Sequence, residues 1–270
     1  MPTPRTSSSR KPLLYGTGVV LAAALLGFVS YRATAPADHS GSSSSTAAGD
    51  VTADPDAGVF PELARLARRD PGDGLAQGRV DAPVVLIEYA DFKCGYCGKF
   101  ARDAEPALVK KYVDNGTLRI EWRNFPIFGA ESEAVARAAW AAGQQGRFWQ
   151  FHAAAYTEGA KEKGFGKDRL KALAREAGVR DLGRFVRDAD GAAASGAVSK
   201  DQAEGYGIGA SSTPSFLING RPLAGAQPVE VFEQVIQAAA DKAANTKDAK
   251  DTKDANGSKG SGDSSGGADK

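Results

Sequence analysis

The chain is poor in the residues that build disulfide frameworks and metal sites. Its 270 residues include two cysteines, two histidines and one methionine. Both cysteines stand in one tetrapeptide, Cys94-Gly95-Tyr96-Cys97, so no further thiol is available for a structural disulfide network. Basic and acidic residues nearly balance, at 34 against 33, which leaves no strong positive field for binding nucleic acid. The composition therefore directs attention to the single cysteine pair.

A long uncharged stretch lies near the N-terminus. Residues 13–31 carry no charged side chain, and about 20 apolar residues suffice to cross a bilayer as a helix. Basic residues precede the stretch, which predicts a cytoplasmic segment at 1–12, a signal anchor at 13–31 and an external remainder. A cleaved signal peptide is the alternative, since Ala33-Thr34-Ala35 resembles a cleavage site, although Pro36 disfavours cleavage there. In both cases we expect the rest of the chain outside the cytoplasm, where disulfides persist.

Composition divides the remainder into a folded part and two polar flanks. Residues 32–58 are rich in Ser, Ala, Gly and Asp and are predicted to form a flexible linker. Residues 59–240 contain the large apolar side chains and are predicted to form one domain. Residues 241–270 contain no large apolar residue and are predicted to be a disordered tail.

Periodicity within the domain predicts a β-α-β unit, a helical block and a β-β-α unit. We expect strands at 84–91, 118–124, 215–218 and 221–224, with the last two joined by an Asn219-Gly220 hairpin turn. We expect helices at 60–69, at 96–114 with a kink at Pro106, in several pieces over 131–206, and at 228–240. This order predicts an α/β fold, the thioredoxin fold with an inserted helical domain.

The cysteine pair follows a buried strand and opens a helix, the setting of many thiol–disulfide redox sites. Unpaired N–H groups and the helix dipole should stabilise a thiolate at Cys94. Cys97 lies one turn further into the helix and should be more buried. We therefore predict Cys94 as the surface nucleophile and Cys97 as the resolving thiol.

Glu88 interrupts the otherwise apolar strand before the cysteines. Alternation places it on the same face as Leu86 and Ala90, directed towards the core near the base of the helix. A buried carboxyl there would have a raised pKa and could exchange protons with Cys97. The alternative is a glutamate at the strand end that reaches solvent.

Thr213-Pro214 stands directly before a hydrophobic strand. A proline in this position removes a ladder donor and often marks a sharp or cis turn. If the bond is cis, the backbone of Thr213 is free to pair with an extended substrate beside Cys94. Taken alone, the dipeptide is better explained as an ordinary loop proline, but together with Cys94 and Cys97 the balance reverses.

The chain resembles the DsbA-like thiol–disulfide oxidoreductases of the thioredoxin superfamily, in their membrane-tethered Gram-positive form. The matching stretches follow the family's order and are Val85–Phe100, Trp122–Phe128, Phe148–His152 and Ser212–Gly220.

The resemblance implies roles for the residues already singled out. Cys94 and Cys97 would be the redox pair, Pro214 the cis-proline facing it, and Glu88 the family's buried acid. The segment 131–206 would be the inserted helical domain, in which His152 is interpreted as a packing residue.

Two features depart from the strongest oxidases of the family. Many of them have Pro-His between the cysteines, whereas Gly95 and Tyr96 stand here, as in some isomerases. Thr213 before the proline is also the isomerase-like choice. Both changes should make Cys94 less acidic and its disulfide less oxidising. Against an isomerase, the space of its N-terminal dimerisation domain is taken by the predicted anchor and linker.

The resemblance implies an oxidase of secreted-protein thiols that needs no cofactor and is reoxidised by a quinone-linked membrane partner. We expect a monomer that is held to the membrane by its own anchor and binds no nucleic acid. A disulfide reductase or isomerase is the main alternative. A non-catalytic binding module is another, although structural zinc normally takes four ligands and only His39 and His152 could add nitrogen ligands.

Overall fold

The structure, a computed structural model, describes residues 58–257. The predicted anchor at 13–31 and nearly all of the predicted linker lie outside the described residues. Within 58–257, no helix is both long enough and apolar enough to cross a bilayer.

The described strands are β1 (Ala76–Gln77), β2 (Val84–Ala90), β3 (Leu118–Asn124), β4 (Ser215–Ile218) and β5 (Arg221–Ala224). The helices before β3 are α1 (Pro61–Ala64), α2 (Gly95–Asp103) and α3 (Glu105–Leu108), and a π-helical turn follows at Val109–Val113. The helices after β3 are α4 (Ala130–Gly143), α5 (Phe148–Ala155), a 3₁₀ turn (Lys161–Lys163), α6 (Lys167–Glu176), α7 (Leu182–Asp190), α8 (Ala192–Gly207) and α9 (Val229–Gly257).

The five strands form one mixed sheet in the order β1-β3-β2-β4-β5. β2 lies in the centre, parallel to β3 and antiparallel to β4. Every residue of β2 and β3 is buried, because helices cover both faces of a sheet built on a β-α-β unit. The helices α4 to α8 stand between β3 and β4 as an insertion. The predicted α/β thioredoxin-like fold is therefore confirmed for the described part.

Alternation along β2 sends its side chains to two different cores. Leu86 packs with Phe100, Phe216 and Phe232 beneath α2 and α9. Tyr89 belongs to a separate cluster on the opposite face. Glu88 shares the Leu86 face, as predicted from the strand period.

The predicted Asn219-Gly220 turn joins β4 to β5. Both residues have positive φ, at 46° and 85°, as a two-residue primed turn requires. A Cβ at Gly220 would lie 2.5 Å from the Phe60 carbonyl oxygen, so the close approach of the chain also demands glycine. The side-chain amide oxygen of Asn219 also accepts a hydrogen bond from Val85 N–H at 2.8 Å, which holds the turn against β2.

Two predicted helices are shorter or more broken than expected. The first ends at Ala64 instead of Arg69, because the N–H groups of Arg68 and Arg69 donate to the Glu121 carboxylate at 2.9 and 2.8 Å. The second is interrupted between α2 and α3, at the residues that precede Pro106.

The last helix is longer than predicted and corrects the disordered tail expected from residue 241. α9 continues to Gly257, so only the part of that tail beyond 257 stays outside the described residues. Alanine and lysine are strong helix formers, and a helix already nucleated by its apolar start elongates readily through them. Contacts one turn apart support it, such as the Gln237 amide donating to Asp241 at 2.9 Å.

Candidate active site

The cysteine pair lies where β2 passes into α2. Cys94 is the N-cap residue of α2, and its carbonyl accepts from Gly98 N–H at 3.1 Å. Both cysteines are free thiols. Cys94 is 5% exposed and Cys97 is 0% exposed, so the predicted order of burial is confirmed. The expected surface position of Cys94 is wrong, because the residue is buried in the wall of a cleft.

The two thiols have opposite acidity. A hydrogen bond from the Cys97 thiol lowers the pKa of Cys94, and burial opposes it. The Thr213 side chain and the N–H groups of Cys97 and Tyr96 lower it further, to about 6. Burial, and then the neighbouring Cys94, raise the pKa of Cys97 well above its ordinary value. One helical turn thus separates a readily ionised sulfur from one that holds its proton.

The Thr213-Pro214 segment closes the other side of the pair. The peptide bond between these residues is cis, as the sequence suggested. The Cys94 thiol donates to the Thr213 carbonyl across 3.2 Å. The structure therefore brings residues 119 positions apart in the chain into direct contact at the sulfur.

Glu88 is fully buried on the face of the sheet below α2. Neither carboxyl oxygen has a hydrogen-bond partner among the described residues. Burial raises the pKa of Glu88 well above its ordinary value, and Glu105 and Cys94 raise it further. Glu88 in turn contributes to the raised pKa of Cys97. The alternative of a solvent-reaching glutamate is therefore wrong.

Asp91 holds the loop that leads into the cysteine pair, and sequence analysis did not single it out. Its carboxylate accepts from Lys93 N–H at 2.8 Å, from Ser132 Oγ at 2.7 Å and from Ile127 N–H at 2.7 Å. Its carbonyl accepts from Cys94 N–H at 2.9 Å. A buried aspartate directly after a strand and before a helix is the signal that could have identified it.

Two aromatic side chains of the insertion, His152 and Tyr156, pack behind this loop. The Tyr156 hydroxyl donates to the Asp91 carbonyl at 3.0 Å, and its ring stacks on Phe92 at 5.0 Å. His152 packs edge-on against Tyr156 and Trp122. Burial lowers the pKa of His152 to about 3, so it is a neutral packing residue at physiological pH, in agreement with its interpretation from the sequence.

Glu105 is a second buried acid that the sequence did not indicate. Gln77 donates to it at 3.1 Å, and His152 Nδ1 lies 3.7 Å away. Burial raises the pKa of Glu105 to about 8. Its sequence context, beside a proline at a helix break, gives no sign of its proximity to Glu88.

Comparison with known proteins agrees with this geometry. A family model described as thioredoxin matches residues 70–238. The probable disulfide bond formation protein D of Bacillus cereus is 30% identical over 148 residues, which cover 53% of this chain and 68% of that protein. The Na(+)/H(+) antiporter NhaA 3 of Salinispora tropica is 31% identical over 172 residues, which cover 63% of this chain and 25% of the antiporter. Oxidised BdbD from Bacillus subtilis superposes with a TM-score of 0.56 at 22% identity, over 63% of this chain and 94% of BdbD.

The fold and the cysteine pair define a thioredoxin-like protein with a helical insertion and a dithiol at a helix N-terminus. The chain belongs to the thioredoxin family, and the probable disulfide bond formation protein D of Bacillus cereus is one of its relatives. It spans only a quarter of the antiporter's length, so ion transport is not carried over to it.

Proposed function

We propose that the chain is an extracytoplasmic, membrane-anchored thiol–disulfide oxidoreductase that oxidises the thiols of secreted proteins. The opposite acidities of its two sulfurs carry the proposal, since the pKa of Cys94 is about 6 and that of Cys97 is raised. A sulfur with a low pKa is a good leaving group in thiol–disulfide exchange. Cys94 is also the more accessible sulfur of the pair.

The exchange proceeds in two displacements. A substrate thiolate attacks Cys94 of the oxidised pair, the Cys94–Cys97 bond breaks, and its electron pair leaves on Cys97. A second substrate thiolate then attacks the substrate sulfur of the mixed disulfide and releases Cys94 as a thiolate. Two electrons pass from the substrate dithiol to the cysteine pair, and the second substrate proton goes to solvent.

The neighbouring residues support these steps. The Cys97 thiolate takes up a proton as it leaves, because its pKa is high. Burial raises the pKa of Glu88 well above its ordinary value, which favours the protonated carboxyl. We assign Glu88 as the donor of that proton, and the proton released by the first substrate thiol restores it. Thr213 would align an extended substrate beside Cys94 through its backbone.

The reduced pair must return its electrons to an oxidant. We propose a quinone-linked membrane oxidase as that partner, which takes two electrons from Cys94 and Cys97 and reforms their disulfide. An anchor at 13–31 would keep the domain close to such a partner.

A disulfide reductase or isomerase is the second candidate, and the inner dipeptide Gly95-Tyr96 favours it. The Cys94 pKa of about 6 also lies closer to the value near 7 of thioredoxin than to that near 3.5 of DsbA. An oxidase of intermediate strength accommodates both observations.

The reduction potential of the Cys94–Cys97 couple in glutathione buffer separates these functions. A value well above about −200 mV supports the oxidase, and a value near thioredoxin's, about −270 mV, rules it out. A Cys94→Ala variant that still sustained oxidation of secreted proteins would instead indicate a non-catalytic module.

A further inference from the structure

A positive charge from a distant part of the chain occupies the space beside Gly95. A Cβ placed on Gly95 would lie 3.0 Å from Lys161 Nζ, so the ammonium group lies against the first residue of α2. Lys161 begins the 3₁₀ turn of the insertion. It lines the cleft that contains Cys94, and also the adjoining cleft beneath Tyr96.

The 3₁₀ turn that carries Lys161 is held against the loop that precedes Cys94. Ala160 and Phe165, on either side of the turn, are buried at 2% and 1% exposure. The Glu131 carboxylate accepts from Phe165 N–H and also pairs with Lys93, the residue before Cys94. One carboxylate therefore links the lysine-bearing turn to the cysteine loop.

The other cations of these clefts lie further along α2 than Gly95, Arg102 among them, since a Cβ on Gly98 would lie 2.9 Å from its guanidinium. The charged residues of the two clefts are Lys99, Arg102, Lys161, Asp103, Glu158 and Glu162. Lys99 pairs with Asp103 at 2.5 Å, and Arg102 donates to the Tyr156 carbonyl at 2.8 Å. Lys161 lies 4.0 Å from Glu162, at the limit of an ion pair, with both side chains about half exposed. Of the three cations, Lys161 is the one that lies beside Gly95, the first residue of α2.

We propose that Lys161 is an active-site residue that stabilises the Cys94 thiolate and helps to set the oxidising strength of the pair. The inference rests on the proposed thiol–disulfide exchange at Cys94. A thiolate beside a lysine is more easily formed than an isolated one. The inner dipeptide Gly95-Tyr96 contains no cation, and glycine at 95 leaves room for one supplied by the insertion.

The expected effect is modest, because Lys161 is 49% exposed and solvent and salt screen its charge. Replacing Lys161 by glutamine should raise the pKa of Cys94 by about half a unit, a threefold change in ionisation. In the Lys161→Gln variant, the reduced form of the protein loses the same stabilisation of its Cys94 thiolate. The potential should therefore fall by about 15 mV, at about 30 mV per tenfold change in equilibrium constant.

The experiment compares full-length wild type, Lys161→Gln and Lys163→Gln. Lys163 is exposed in the same 3₁₀ turn, so its variant removes an equal charge from the same segment. The rate of iodoacetamide alkylation of the reduced protein, measured from pH 4 to pH 9, gives the Cys94 pKa. Equilibration with glutathione gives the potential of the same three proteins.

We expect alkylation below pH 6 to be about threefold slower in Lys161→Gln than in wild type, and unchanged in Lys163→Gln. The difference should shrink as ionic strength rises, and Gly95→Ala should shift the pKa in the same direction by displacing the ammonium. An unchanged Cys94 pKa in Lys161→Gln overturns the inference, as does an equal shift in Lys163→Gln. Failure of the wild type to exchange with glutathione would contradict the proposed function itself.

Discussion

At the scale of single residues, the site depends on which atoms can point hydrogen bonds at a sulfur. Cys94 is at a helix N-cap, where the N–H groups of Tyr96 and Cys97 are directed at its side chain. Cys97 is one turn inside the helix, with no exposed surface. The Thr213 carbonyl, a hydrogen-bond acceptor, favours the neutral Cys94 thiol. The balance of these contacts makes Cys94 the acidic member of the pair.

The reduced protein should show a thiolate absorbance at 240 nm that titrates with a midpoint near pH 6. Replacing Cys97 by alanine should raise this midpoint, because the Cys97 hydrogen bond is the largest cause of the lowered pKa. Cys94→Ala should abolish the transition and serves as the control. A wild-type midpoint near pH 8.5, the ordinary value for cysteine, would contradict the assignment.

Glu88 should lower the stability of the folded state in a pH-dependent way. The pKa of Glu88 in the folded state is raised. The stability that this group contributes is therefore fully present below its pKa in the unfolded state, about 4.3. That contribution is lost as pH rises through the folded-state pKa. In the disulfide form at pH 8, Glu88→Leu should therefore be about 1–3 kcal/mol more stable than wild type. The same substitution at the exposed Glu176 controls for the added apolar side chain.

Urea unfolding at pH 4, 6 and 8 measures this effect. The advantage of Glu88→Leu should widen with pH. At the same time its exchange rate should fall, since Cys97 loses its proton donor. A stability difference that does not change with pH would exclude a raised Glu88 pKa.

The residues found from sequence were those whose signal is local. Cys94 and Cys97 are separated by two residues at a strand-to-helix junction, and Glu88 breaks an apolar run, so period and spacing single them out. Lys161 and Glu105 reach the site only through folding of the insertion and through the break before Pro106. A single sequence contains no pattern that predicts which distant side chain will lie beside Gly95 in the folded protein.

At the scale of elements, a largely buried ionic network attaches the insertion and the segment after α1 to the sheet. Arg123 of β3 donates to Glu121 at 2.8 Å and to Glu204 of α8 at 3.0 Å. Arg68 donates to Glu204 at 3.0 Å and to Asp201 at 2.7 Å. Burial opposes ionisation of Glu121, but hydrogen bonds from Arg123 and from the Arg68 and Arg69 N–H groups lower its pKa to about 2. Glu121 therefore remains charged at physiological pH.

Removing one member of this network should lower the free energy of unfolding much more than removing one member of an exposed ion pair. Arg123 is fully buried, so Arg123→Met leaves two carboxylates without their shared partner and should destabilise the protein by about 3–5 kcal/mol. The matched control is Arg79→Met, from a pair with Asp81 in which both side chains are about 70% exposed. Its cost should be about 0–1 kcal/mol.

Denaturant midpoints of the two variants in one redox state test this comparison. Similar small losses in both would show that the network contributes little to attachment of the insertion. The network also explains why the charged residues of β3 are buried although its sequence alternates. The segment after α1 and helix α8 supply their partners.

Helix α9 shows the same limit at the opposite end of the chain. Composition predicted disorder after residue 240, because nothing there can form a core. Yet propensity and contacts one turn apart continue the helix to Gly257. The absence of large apolar residues excludes a buried helix and does not exclude an exposed one that begins on a packed segment.

At the scale of the whole molecule, the two cysteines offer a probe of location, because no other thiol exists in the chain. In intact bacteria treated with a membrane-impermeant reductant, an impermeant PEG-maleimide should label the protein and shift its gel mobility. A double variant, Cys94→Ala with Cys97→Ala, should show no shift, and a cytoplasmic thiol protein should stay unlabelled until the cells are lysed. Labelling of the wild type only after lysis would contradict an extracytoplasmic domain.

The same cells test whether an anchor is retained. The labelled wild type should sediment with membranes, since an uncharged stretch at 13–31 is long enough to span a bilayer. Two charges placed in its centre, Val20→Asp with Leu25→Asp, should disrupt membrane insertion, because each costs about 2.5–3.5 kcal/mol at the middle of a spanning helix. A labelled wild-type protein that is shorter by about 35 residues, as cleavage after the Ala33-Thr34-Ala35 site requires, and free of membranes would establish signal cleavage in place of anchoring.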